Sequence, residues 1–195
     1  MRKGTFDVYN ADSGEFFRKT RTVFLYGPVT AETAYDVCNC LKYLDYIDSE
    51  KPITLEINSP GGEVSSGLAI IDTIQCIQAP VRAVVCGMAA SMAALIAACC
   101  TKGLRTALPH STVMIHQPIG GMESSQASDI EIYAKNMMRT KATLNGLMAE
   151  ACGKPIDVVA TDSDRDYYMT ADEAVAYGLL DSVVTSKKKE VKEVA

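Results

Sequence analysis

Gly87-Met88-Ala89-Ala90-Ser91-Met92-Ala93 is the stretch on which the reading of this chain turns. Ahead of it, Val81-Arg82-Ala83-Val84-Val85-Cys86 has the β-branched content of a buried strand, and behind it Met92-Ala93-Ala94-Leu95-Ile96-Ala97-Ala98 reads as a buried helix. Ser91 therefore sits where a strand turns into a helix N-terminus. Free N–H groups and the positive end of the helix dipole favour developing negative charge there. Gly87 supplies a backbone angle that other residues resist. The plain alternative is a cap, since Ser is a favoured N-cap residue. The stretch also lacks the Gly-x-Ser-x-Gly spacing of the α/β-hydrolase elbow.

Working outward, strands and helices alternate. Arg21 to Tyr26 reads as a strand ended by Gly27-Pro28. Thr30 is placed to cap a helix running to about Ile47, with Thr33 where a capping box would carry Glu and with Ala34, Val37, Leu41 and Leu44 on one face. Pro52 to Ile57 is a second strand, closed by the turn formers Asn58-Ser59-Pro60-Gly61-Gly62. A helix follows from about Val64 to Ile77, with Leu68, Ile71, Ile74 and Gln75 in register. Beyond the central stretch, Thr112 to Ile115 reads as a strand. Ser128-Asp129-Ile130-Glu131 reads as a capping box opening a long helix that Gly153 stops near Cys152. Ile130, Ala134, Met137, Lys141, Leu144 and Met148 recur on that helix at helical spacing, and its mixed face suits either core packing or an outside partner. Thr170-Ala171-Asp172-Glu173 caps a helix to Tyr177, and Leu179 to Thr185 reads as a last strand. At the ends, a turn is expected at Asn10-Ala11-Asp12-Ser13-Gly14 and a frayed charged tail from Ser186. The order implies an α/β fold with at least partly parallel strands.

Composition narrows the function. With 195 residues, 48% of them apolar, the chain can bury one substantial core. A net charge of -5 offers no basic surface for nucleic acid. Seven cysteines, odd in number and mostly in apolar runs, suggest reduced, buried thiols, and Cys38-x-Cys40 and Cys99-Cys100 lack zinc-ligand spacing. No metal and no organic cofactor is expected. The N-terminus lacks the apolar core of a signal peptide, and the run from Met88 to Cys100 is too short to span a bilayer, so a cytoplasmic location is expected.

Acyl transfer requires a nucleophile, a base, an acid to orient the base and donors for the oxyanion. The chain has two histidines. His116 ends a strand, where α/β sheets place function, whereas His110 lies in a Pro-His-Ser turn and reads as a surface residue. Gly62, at a strand-to-helix turn, and Met92, beside Ser91, offer backbone N–H groups. The acid stays open: Asp162, Asp164 and Asp166 cluster in what reads equally well as a solvated turn.

A resemblance closes that choice. Asn58-Ser59-Pro60-Gly61-Gly62, Gly87 to Ala93, Met114-Ile115-His116-Gln117-Pro118 and Arg165-Asp166-Tyr167-Tyr168-Met169 follow the order and spacing of the Clp protease proteolytic subunit, ClpP, from about Phe6 to Val184. The resemblance implies Ser91 as nucleophile, His116 as general base, Asp166 as orienting acid, and Gly62 and Met92 as oxyanion donors. It implies a ββα superhelix of the crotonase type, in one peptidase domain over 1–195. In that domain residues 1–20 form an N-terminal segment, about 122–152 a projecting handle that stacks two heptameric rings, and 186–195 a tail. Arg165 resembles the ring-contact arginine beside the acid.

The implied function is a serine endopeptidase, the proteolytic subunit of an ATP-dependent protease. Any ATP would be used by a partner, since no Gly-x-x-x-x-Gly-Lys-Ser/Thr loop is present. Two rivals stand beside it: a crotonase-type acyl-CoA enzyme, and a non-catalytic ring subunit of a mixed complex. The sequence also departs from the family. Thr54 and Glu56 occupy strand positions where ClpP subunits carry aromatic residues that receive the ATPase, and Cys76 stands in place of a Phe. Only five residues precede Phe6-Asp7-Val8-Tyr9, so most of the pore-lining segment is expected to be missing. Docking of a conventional Clp ATPase is expected to be weak, with a paralogous subunit or another partner supplying that face.

Overall fold

Period-two strands joined by amphipathic helices fold here into one mostly parallel sheet, as the computed structural model describes for residues 11–122, 124 and 126–185. The Phe6-Asp7-Val8-Tyr9 motif and the tail 186–195 lie outside the described residues. In chain order the elements are α1 (Ala11–Thr20), β1 (Thr22–Tyr26), α2 (Ala31–Ile47), β2 (Ile53–Ser59), α3 (Val64–Cys76), β3 (Val81–Ala90), α4 (Met92–Ala98), β4 (Arg105–Ala107), β5 (Thr112–Ile115), α5 (Ala127–Cys152), α6 (Ile156–Asp162), β6 (Tyr167–Thr170), α7 (Ala171–Tyr177) and β7 (Ser182–Val183). The main path runs β1-β2-β3-β4-β7, all parallel.

Strand alternation sets the core. Val23, Leu25, Leu55, Ile57, Ala83 and Val85 are buried on one face of β1–β3, beneath Ala34, Val37, Leu41 and Leu44 of α2 and Ile70, Ile71 and Ile74 of α3. Each large aliphatic chain so buried contributes about 1.5–3 kcal/mol. Gln75, expected on that face, is exposed. Both threonine caps form as read. The Thr30 N–H donates to Thr33 Oγ1 at 2.8 Å while the Thr33 N–H donates back to Thr30 Oγ1, so the Thr33 hydroxyl does the work of a Glu. Thr170 and Glu173 make the same reciprocal pair. At the other end of α2, Arg21 takes a positive φ of 52° and donates to the carbonyls of Leu44, Asp48, Lys51 and Pro52. One guanidinium thus ties the end of α2 to the loop that leads into β2.

Several expectations are corrected. The turn expected at Asn10–Gly14 gives way to α1 from Ala11, a helix supported by an i,i+4 Lys19–Glu15 ion pair and by Arg18 and Lys19 in its last turn. The capping box at Ser128 is absent: α5 starts at Ala127 behind Gln126 without a side-chain cap, and Glu131 pairs with Lys135 at 2.6 Å instead. The last strand shrinks to Ser182–Val183. Three short elements, β4, α6 and β6, carry too few periodic positions to be read from sequence. Of the cysteines only Cys100 is fully buried, and Cys76 is exposed.

α5 is buried at Asn145, Met148 and Ala149, near its C-terminal end, and Gly153 closes it in the left-handed conformation. Its first half leaves Ile130, Ile132 and Met138 exposed. Glu56 is half-buried on the sheet face opposite the core and accepts from Tyr26 Oη at 2.5 Å. No helix among the described residues is long and apolar enough to cross a membrane.

Candidate active site

β3 makes the site by changing partners part-way along. Its first half pairs with β2 and β4, and Met88 to Ala90 pair with Thr112 to Met114 of β5. Between the halves the register slips: Ile57 faces Val85, but Ser59 faces Ala89. Gly87 sits in this bulge at φ +90°, where a Cβ would lie 3.1 Å from Asn58 Oδ1. The glycine thus bends the strand inside its length and does not itself make the strand-to-helix turn. Ser111 steadies the bend, donating to Val85 O at 2.8 Å and accepting from the Gly87 N–H.

The turn into α4 falls on Ser91, at φ 56° and ψ −122°. A side chain held there costs about 1–3 kcal/mol. The Ser91 N–H donates to Met114 O at 2.8 Å, and its carbonyl accepts from Ala94 and Leu95 to start the helix. The hydroxyl makes no cap bond; it lies 2.8 Å from His116 Nε2. The cap alternative is thereby set aside, because the side chain is turned from its own helix toward the imidazole.

Strand pairing also delivers the histidine and the acid. β5 runs antiparallel to β6 with Ile115 opposite Tyr167, so the next step of the ladder sets His116 against Asp166. His116 Nδ1 is 3.1 Å from Asp166 Oδ1. The histidine side chain is 15% exposed and the aspartate 55%, so the imidazole sits in the wall while the carboxylate faces solvent. Of the other two acids, Asp162 accepts from Tyr177 Oη and Asp164 engages Gln117. Arg165 points outward, its side chain 93% exposed. His110 lies in the exposed turn before β5.

Gly61 and Gly62 form the facing wall. A Cβ on Gly61 would fall 2.6 Å from Ala90 O, 2.8 Å from Ser91 Cβ and 3.0 Å from Met92 N, so this turn lies against the start of α4. Gly62 bridges Val29 through Val29 N–H to Gly61 O and Glu63 N–H to Val29 O, which leaves the Gly62 N–H out of the bridge. Met92 opens α4, and a first-turn N–H has no intrahelical acceptor. Gly62 and Met92 both line the opening beside Ser91.

Beside Ser91 opens a cavity of about 290 Å³, walled by Leu95, Ile119, Leu144, Met148 and Val159, with Asn145 and Ser163 at its polar side. It has room for one apolar side chain. These lining residues were not read as functional from sequence. Val159 lies on an unpredicted helix, and Leu144 and Met148 read as part of a face that suits either core packing or an outside partner. The corner of Gln117, Lys141 and Asp164 was missed as well, although Lys141 signals it as the one charge in the stripe Met137, Lys141, Leu144, Met148. In comparison with known families, residues 6–187 match the model described as Clp protease.

Proposed function

Because the chain belongs to the Clp protease family, we propose that it is a catalytically competent ClpP-type subunit, a serine endopeptidase acting on polypeptides. The observation that carries this is the continuous line from Ser91 Oγ to His116 Nε2 at 2.8 Å and from His116 Nδ1 to Asp166 Oδ1 at 3.1 Å. With its proton on Nδ1, His116 donates to Asp166 and presents Nε2 as acceptor to the serine hydroxyl. Ser91 attacks the peptide carbonyl as His116 takes its proton. The Gly62 and Met92 N–H groups hold the oxyanion, His116 passes the proton to the leaving amine, and water then releases the acyl group by the reverse sequence. The strained backbone at Ser91 keeps the hydroxyl off the cap position and on the base. The apolar cavity receives the side chain next to the scissile bond.

The exposed first half of α5, with Ile130, Ile132 and Met138 in water, supports its use as an inter-ring handle in a stacked-ring assembly. In this reading ATP hydrolysis belongs to a partner, and Thr54, Glu56 and Cys76 weaken docking of a conventional Clp ATPase. A fluorophosphonate or β-lactone probe tests the chemistry. The wild-type protein labels on Ser91, and Ser91→Ala neither labels nor cleaves short fluorogenic peptides, with a loss of roughly four to six orders of magnitude in rate. Retained cleavage by purified Ser91→Ala refutes the serine-peptidase reading. An unlabelled wild type leaves the non-catalytic ring subunit or the acyl-CoA enzyme.

A further inference from the structure

We propose that Gln117 and Lys141 are positioning residues that hold the Asp164-Arg165-Asp166 loop in register with His116; the inference rests on the triad reading above. Asp166 needs such support. Its carboxylate is 55% exposed, and its polar contact among the described residues is with His116. A carboxylate in water reorients easily, and solvent screens its attraction to the imidazole. Arg165 gives the loop little, reaching only to 3.9 Å from Asp164 Oδ2.

Gln117 does more. It follows His116 directly, so the chain segment that carries the base also grips the loop that carries the acid. Its Nε2 donates to Asp164 O at 2.8 Å and reaches Asp164 Oδ1 at 3.3 Å. Its Oε1 accepts from Lys141 Nζ at 2.8 Å, and the same ammonium stands 3.8 Å from Asp164 Oδ1. An ammonium only donates and a carbonyl only accepts, so this arrangement permits one orientation of the amide. The Lys141 side chain is 24% exposed, turned in from α5 toward this corner rather than out to water. His116 faces the Asp166 carboxylate, while Lys141 of α5 faces Asp164 of the same loop and Arg165 turns outward. Fixing Asp164 by backbone and side chain together limits where Asp166, two residues on, can swing.

The test uses the full-length chain and a fluorogenic peptide, with Lys141→Met, Lys141→Arg, Gln117→Leu and the double variant Lys141→Met/Gln117→Leu. Loss of the clamp lowers kcat about 10- to 100-fold, the scale of a misplaced catalytic group, while KM stays within about twofold because neither residue holds substrate. Lys141→Arg restores most of kcat. The double variant matches the worse single one, as members of one network do. Folded Lys141→Met with wild-type kcat overturns the inference; so does a loss of kcat that Lys141→Arg cannot repair. If Lys141→Met fails to fold, Gln117→Leu gives the same reading. Fluorophosphonate labelling separates the two levels. A wild type that does not label removes the triad reading and the clamp with it, whereas a labelled wild type with unaffected variants removes the clamp alone.

Discussion

Gly62→Ala is the sharpest probe of how the site is built, because its effect can be worked from contacts away from the substrate. An alanine Cβ at this position would lie 2.2 Å from Val29 O, 2.9 Å from Val29 N and 3.0 Å from Val29 C. All three are backbone atoms, so no side chain can turn aside. The residue also sits at φ +155°, which side-chain-bearing residues avoid. To bring the closest contact to 3.0 Å, the loop must retreat by about 0.8 Å from Val29. Part of the bridge, whose two hydrogen bonds measure 2.8 Å each, is lost with it. The fold then gives up about 1–3 kcal/mol for the strain and about 1 kcal/mol for each broken bond. The chemical effect is separate. An oxyanion donor acts at 2.7–3.1 Å, so a shift of this size removes it, a loss of roughly 100- to 1000-fold in kcat. KM changes little, since the oxyanion exists only beyond the ground state. The assay is peptide hydrolysis at a temperature where circular dichroism shows the variant folded, beside Gly121→Ala, whose added Cβ meets no atom within 4 Å. Folded Gly62→Ala with kcat within threefold of wild type would refute the assignment of Gly62 as a donor.

Other outcomes follow from single contacts. His116→Ala is inactive while His110→Ala keeps most of its peptidase activity, because only His116 faces Ser91; the reverse result in the same assay shows the base misassigned. Asp181→Asn is destabilising by roughly 3–5 kcal/mol in a urea melt, because it leaves the Arg105 guanidinium, 3% exposed, without its charge partner. Partial burial pushes the Asp181 carboxyl up, but hydrogen bonds from Arg105 and from the Gly103 N–H outweigh this and hold it below the ordinary carboxylate range. Its contribution is therefore present above the unfolded carboxylate pKa and lost as pH falls through the lower folded value, so the variant shows a shallower loss of stability below about pH 4. An equal acid slope in both proteins counts against the pair. A homomeric assembly cleaves short peptides but does not degrade a tagged folded substrate with a conventional Clp ATPase and ATP, because an apolar docking loop would have to desolvate Glu56; efficient ATP-dependent degradation overturns that expectation.

Long periodic elements are legible in the sequence, and short ones only where a flanking signal marks them, as the Thr170 capping box marks α7. α2 announces itself through four buried positions at helical spacing and the Thr30 cap, and the structure adds Arg21 at its other end. β4 has only three residues, and α6 opens behind Pro155 without a side-chain cap, so neither carries a local signal. β4 is held by Arg105, whose guanidinium ties Ala98 O, Ala151 O and Asp181 across three segments far apart in sequence. No local pattern could show that. The acid illustrates the same limit. Asp162, Asp164 and Asp166 are alike in local sequence, where the resemblance alone picks Asp166, and the antiparallel step from Ile115 opposite Tyr167 is the physical reason it lies against His116.

The central stretch shows why the role of Ser91 is ambiguous in the sequence. Ser before a helix and after a glycine carries the signature of an ordinary cap, and the sequence assigned the unusual backbone angle to Gly87. The structure divides that role between two residues. Gly87 absorbs a bulge within β3, which lets the strand leave β4 and pair with β5. That change of partner brings Met114, and two residues later His116, alongside the end of β3. Ser91 then makes the turn itself, in a conformation that a serine ordinarily avoids, anchored by its N–H on Met114 O. An ordinary cap geometry would relieve the strain but would direct Oγ to the first turn of α4 and leave His116 without a partner. Replacing Ser91 by Gly would be the inexpensive solution for the backbone, so the presence of a side chain at φ 56° requires a compensating use for the hydroxyl. The imidazole at 2.8 Å supplies it. The positive φ, the missing cap bond and the aligned histidine are therefore linked consequences of the bend at Gly87.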